Sequence, residues 1–262
     1  MSLRLAAAIG LALPLAACAT PARGPQLAAP AASDPPPLRT YIPADGKAHS
    51  AVLLVPGCTA PLISSRAALY ERYATKLRDQ GFAAAIVTYP GASMGDPACQ
   101  RVSEPAVVAA HIRAALTQLR ATPGVDPGRL HLVGWSWGGR GVLETIMAPK
   151  REAGLVSAAV FYPPCPTAAR WASGVTLQLF LGEKDTVTPA AECRAWADRS
   201  EGPGPVVVTR YVGVGHGFDV AEAGDPRFAA WQTNLPLVFD ASTDWQAWQD
   251  LLKFLRLNLP GA

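Results

Sequence analysis

Short apolar runs alternate with longer stretches of helical spacing along most of the chain. Residues 51–55 are apolar throughout and stop at Pro56-Gly57, and residues 64–80 carry apolar positions three and four apart before Gly81. That pair predicts a strand followed by a helix. The alternation returns as a strand over 83–89, a helix over 103–121 opening with Ser103-Glu104-Pro105, a strand over 130–135 that stops at Ser136, and a helix over 137–148. Apolar strands at 155–162 and 175–181 follow, then a helix over 189–199, a strand over 206–212 and a last helix over 243–257.

Strands apolar on every position are buried on both faces, and their regular alternation with helices predicts an α/β protein with a mostly parallel sheet, helices on both faces and right-handed crossovers. Ligands of such sheets bind beyond the carboxyl ends of the strands. Residues 163–174, between two successive strands, are too few for a large cap domain, so the expected site is open.

The chain ends differ from this body. Arg4 precedes an apolar and small-residue stretch over 5–15, the length of a signal-peptide core and too short to span a bilayer comfortably. It leads into Leu15-Ala16-Ala17-Cys18, which resembles a bacterial lipobox; residues 1–17 are expected to be removed and Cys18 lipidated, with ordinary cleavage after Ala17 or Ala19 as the rival. This predicts export to the bacterial periplasm or outer membrane, with the membrane engaged through an N-terminal lipid anchor. Ala19 rather than Asp after the cysteine favours the outer membrane by similarity to Gram-negative sorting rules. Residues 19–40 are Pro, Ala and small polar residues, including Pro35-Pro36-Pro37, and predict an extended tether. Residues 41–262 suit one α/β domain.

The chain has 23 basic and 20 acidic side chains, with no basic run able to track a phosphate backbone, which argues against nucleic acid as a partner. Beyond Cys18 an even number of cysteines remains, Cys58, Cys99, Cys165 and Cys193; in an exported chain they predict disulfides. None has a C-x-x-C spacing or a neighbouring His that would suit zinc, so no metal site is expected.

Candidate chemistry concentrates in Gly134-Trp135-Ser136-Trp137-Gly138, a G-x-S-x-G motif between a strand and a helix, the context of a nucleophile elbow. Its serine occupies a sharp, strained turn, and the flanking glycines leave room where backbones approach. In that architecture an acid and then a histidine follow the nucleophile. His216 is the histidine downstream of Ser136; His49, His111 and His131 precede it and read as surface or helix-face residues. Asp185 follows the 175–181 strand through Gly182-Glu183-Lys184, with Glu183 a weaker rival on the same turn; Asp198 falls in a helix and Asp219 comes too late. Two backbone donors would form an oxyanion hole, the amides of Trp137 and of Cys58 after the first strand. A Cys58 thiol nucleophile is the contrary reading, but Pro56-Gly57-Cys58 is not an elbow.

Val55-Pro56-Gly57-Cys58, the elbow, Gly182-Glu183-Lys184-Asp185 with Thr188-Pro189, and Gly215-His216-Gly217-Phe218-Asp219 together resemble the dienelactone hydrolase family of α/β-hydrolases over about residues 41–257. The resemblance implies the α/β-hydrolase fold and a Ser136, Asp185, His216 triad acting on a small-molecule ester without a cofactor. The name-giving enzymes carry a cysteine nucleophile; Ser136 places this chain nearer the serine esterases. Resemblance to secreted members also implies a Cys165–Cys193 disulfide, leaving Cys58 and Cys99 as the second pair. Trp135, Tyr162, Trp171 and Phe218 are candidates to line an apolar substrate pocket, and Arg101 or Arg140 to attract an acidic substrate. An acyltransferase, a peptidase or a non-catalytic binding lipoprotein are the alternatives on the same fold.

Overall fold

The computed structural model describes residues 36–57, 67–89, 104–167, 174–200, 204–224 and 236–259. Seven strands form one sheet in the order β1-β3-β2-β4-β5-β6-β7: β1 Leu38–Tyr41, β2 His49–Val55, β3 Ala83–Val87, β4 Val125–Trp135, β5 Leu155–Phe161, β6 Thr176–Gly182 and β7 Val206–Tyr211. All neighbours pair in parallel except β1, which runs antiparallel to β3 with Leu38 opposite Val87. The helices are α1 Ala67–Asp79, α2 Pro105–Arg120, α3 Ser136–Ile146, α4 Ala190–Asp198 and α5 Ala241–Leu257.

The period of two along β2 divides the core. Ala51, Leu53 and Val55 belong to one buried cluster with Val108 and Ile112 of α2, Val142 of α3 and Trp196 of α4, while Val52 and Leu54 belong to another with Leu69 and Tyr73 of α1 and Trp248 and Leu251 of α5. Helices therefore cover both faces, because apolar strand positions on both faces must be removed from water. The link between β5 and β6 is residues 162–175, too short for a cap domain. The expected signal segment, Cys18 and the expected tether as far as residue 35 lie outside the described residues.

Two features depart from the sequence reading. Residues 38–40, expected in the tether, belong to β1 and pair with the sheet. His131, expected at the surface, is fully buried in β4; its Nδ1 lies 2.7 Å from the Ser157 hydroxyl and its Nε2 3.2 Å from the Ser50 hydroxyl. The two serines satisfy the imidazole that burial strips of water.

Candidate active site

The carboxyl ends of β4, β6 and β7 bring three predicted residues together. Ser136 begins α3 directly after β4, in a left-handed conformation with φ of 48°. That strain is tolerated because the surroundings admit only glycine: a Cβ on Gly138 would sit 2.2 Å from the Pro56 carbonyl oxygen, and one on Gly134 would sit 2.8 Å from the Gly139 Cα. Close packing of α3 against β2 and β4 thus fixes the elbow.

Asp185 leaves β6 on a turn closed by its own amide donating to the Gly182 carbonyl at 3.2 Å. His216 is carried on the loop after β7, which docks on that turn through the Lys184 amide and the Val214 carbonyl at 2.8 Å. A Cβ on Gly182 would come within 2.7 Å of the Val214 carbonyl oxygen, so the approach needs glycine. The result is a continuous chain of side chains, with His216 Nε2 3.1 Å from Ser136 Oγ and His216 Nδ1 2.8 Å from Asp185 Oδ2. Both His216 and Asp185 are buried.

Asp185 is held by more than the histidine. The amides of Val187 and Thr188 each donate to its Oδ1 at 2.8 Å, and the Thr188 hydroxyl donates to its Oδ2 at 2.9 Å. Burial pushes the carboxyl pKa up, but the hydrogen bonds from His216 and Thr188 outweigh it and hold the group below its usual value, so it is an anion at neutral pH. Glu183, the rival on the same turn, faces outward and pairs with Arg210 at 2.9 Å.

Trp137 is the second residue of α3, so its amide has no intrahelical partner. The Gly57 amide donates to the Tyr70 hydroxyl at 3.0 Å; Cys58, the other donor expected from sequence, lies outside the described residues, as do Cys99, Arg101 and Trp171. Cys165 and Cys193 are joined by a disulfide that ties the segment after β5 to α4.

A narrow recess beside Ser136 and His216 is bordered by Gly57, Tyr70, Trp135, Tyr162 and Leu237. Trp135 and Tyr162 border it while being almost wholly buried, and Phe218 does not reach it: its ring is fully enclosed, 5.2 Å from that of Tyr162 and 5.1 Å from that of Tyr211. The apolar character that suggested a pocket residue reflects packing at Phe218. Arg140 is half-buried and pairs with Glu144 at 3.5 Å. Among the described residues no group of three or more His, Cys, Asp or Glu could hold a metal ion.

Three residues support the site beyond what the sequence pattern shows. Tyr162, considered only as a pocket wall, has a left-handed φ of 38° and lays its ring 4.5 Å from the His216 ring. Thr188 braces Asp185. Asp219, dismissed as the triad acid, is buried and accepts hydrogen bonds from Tyr162, Trp135 and Tyr73. The Gly-His-Gly-Phe-Asp run was visible, but not the three donors that converge on its last residue.

The sequence model of the dienelactone hydrolase family matches residues 95–259. Among curated proteins no sequence matches significantly. The fold is shared with apo esterase 2 of Thermogutta terrifontis, at 20% identity and a TM-score of 0.63 over 84% of this chain and 88% of that one. It is shared also with the dienelactone hydrolase-like promiscuous phosphotriesterase P91 from metagenomic libraries, at 20% identity, TM-score 0.67, and 84% and 92% coverage. A putative dienelactone hydrolase from Klebsiella pneumoniae is similar at 15% identity, TM-score 0.63, and 84% and 92% coverage.

Proposed function

The chain belongs to the dienelactone hydrolase family, and on that premise we propose that it is a serine hydrolase cleaving an ester-type bond of a small molecule through an acyl-enzyme at Ser136. The observation that carries this reading is the imidazole of His216 spanning 3.1 Å to Ser136 Oγ and 2.8 Å to Asp185 Oδ2. With Asp185 anionic, Nδ1 carries the proton and donates to it, leaving the Nε2 lone pair to accept the Ser136 hydroxyl proton. Oγ then attacks the substrate carbonyl while Nε2 takes the proton, and the imidazolium passes that proton to the leaving alkoxide as the C–O bond breaks. Water, deprotonated by Nε2, attacks the acyl-enzyme and restores the serine. The amide of Trp137 at the start of α3, together with that of Cys58, would stabilise the tetrahedral oxyanion, aided by the positive end of the helix.

Export as a lipoprotein anchored through Cys18 is part of the same proposal, supported by the leader pattern and by a disulfide suited to an oxidising compartment. Mass analysis of the mature N-terminus tests it: a lipidated Cys18 is expected, and an unmodified chain beginning at Cys18 or at Thr20 would overturn it.

Hydrolysis of a panel of short aryl esters by the protein and by Ser136→Ala tests the activity. Turnover confined to the protein with Ser136 is expected, whereas equal turnover in both, or none in either, would reject the mechanism and favour a binding role.

A further inference from the structure

Asp219 has no exposed surface, and burying a carboxylate is strongly unfavourable unless it is fully hydrogen-bonded. Its Oδ1 accepts from the Tyr162 hydroxyl at 2.6 Å, and its Oδ2 accepts from Trp135 Nε1 at 2.8 Å and the Tyr73 hydroxyl at 3.1 Å. Arg72 Nη2 donates to the Asp219 main-chain carbonyl at 2.6 Å while Asp244 holds the same guanidinium through Nη1 at 2.8 Å. The donors come from three elements, and two of them flank the triad. Trp135 is the residue immediately before Ser136. Tyr162 packs on the His216 ring, and its main-chain carbonyl lies 2.9 Å from the oxygen of the Thr188 hydroxyl that braces Asp185. Asp219 itself lies three residues after His216, so one side chain ties together the elbow, the support of the imidazole and the loop that carries it.

The geometry points to Asp219 as a positioning residue that keeps Ser136 and His216 in register through Trp135 and Tyr162, an inference that rests on the serine-hydrolase reading above. Its carboxylate hydrogen-bonds to Tyr162, Trp135 and Tyr73 rather than to Ser136, His216 or Asp185, and it acts through these donors. An indole N–H can only donate whereas a tyrosine hydroxyl can also accept, so an amide at this position keeps its oxygen toward Trp135 and turns its NH2 group on Tyr162, which must accept instead of donate; a neutral amide also accepts more weakly than a carboxylate, and its hold on both residues loosens.

The test measures kcat and KM for an aryl ester, the rate of Ser136 labelling by a fluorophosphonate, and the melting temperature, for the protein, Asp219→Asn, Tyr162→Phe and the double variant. Displacing reacting groups by about 1 Å costs on the order of a hundredfold in rate, so Asp219→Asn is expected to lose roughly that in kcat and in labelling rate with KM nearly unchanged. Tyr162→Phe keeps the ring and loses only the donor; it is expected to lose about tenfold, and the double variant to be no worse than Asp219→Asn, as for two residues acting in one path. Variants that melt lower but keep the original kcat and labelling rate would overturn the inference and leave Asp219 a core residue. If Asp219→Asn does not fold, unchanged kcat in Tyr162→Phe overturns it alone. A protein that neither turns over esters nor labels would instead reject the hydrolase reading, taking this inference with it.

Discussion

His131 should make the folded protein sensitive to mild acid. Its ring is fully buried between the Ser50 and Ser157 hydroxyls, and burial, reinforced by the Arg129 charge, holds its pKa down from 6.5 to about 3. In the unfolded chain the ring regains its ordinary value. Unfolding therefore takes up a proton at any pH between the two values, so the stability due to neutral His131 is complete above the unfolded pKa and is lost as the pH falls through the window. With about 1.4 kcal/mol per pH unit, the loss is about 2 kcal/mol at pH ~5 and about 3 kcal/mol at pH ~4. Denaturant unfolding of the protein and of His131→Gln, followed by tryptophan fluorescence from pH ~7 to pH ~5, measures it. The variant has no titrating group there, and other ionisations cancel in the comparison, so its stability should fall by about 2 kcal/mol less across that range. Parallel curves would refute the reasoning and show that the buried ring takes up its proton without unfolding.

Two further substitutions probe the supports of the site. Thr188→Val keeps the shape but removes the hydroxyl, which lies 2.9 Å from both Asp185 Oδ2 and the Tyr162 carbonyl and has one proton to give; kcat for an aryl ester should fall about tenfold, the rate equivalent of about 1.4 kcal/mol for one lost hydrogen bond to a charged group, and an unchanged kcat would contradict a bracing role. Cys165→Ser with Cys193→Ser removes a cross-link spanning 28 residues, which should lower unfolding free energy by about 3 kcal/mol in denaturant titration; loss of less than about 1 kcal/mol would mean the segment after β5 is held by packing alone.

What the sequence revealed and what it concealed follow from range. The elbow was legible because its constraints are local: Gly134 and Gly138 are required within four residues of one another by backbone contacts that any Cβ would violate. Asp185 was legible because it is the carboxylate that turns in from the end of β6, whereas Glu183 on the same turn pairs outward with Arg210. β1 was not, since a four-residue edge strand with exposed central positions has no alternation to read and follows a Pro-rich stretch. The acceptor role of Asp219 was hidden because its donors sit 57 to 146 residues away on α1, β4 and the end of β5. His131 was misplaced for the same reason: its two serine partners lie on neighbouring strands, 81 and 26 residues distant. Phe218 shows the converse error, where an aromatic two residues after His216 looked like a pocket wall and proves to be core.

The most direct measurement of the central claim is peptide mapping of the protein after reaction with a fluorophosphonate, alongside residual ester turnover and with Ser136→Ala and His216→Ala as parallels. The account predicts a single adduct on the peptide carrying Ser136, formed in proportion to the activity lost and missing from both variants. An adduct on another residue, or full turnover by a protein that carries none, would contradict it.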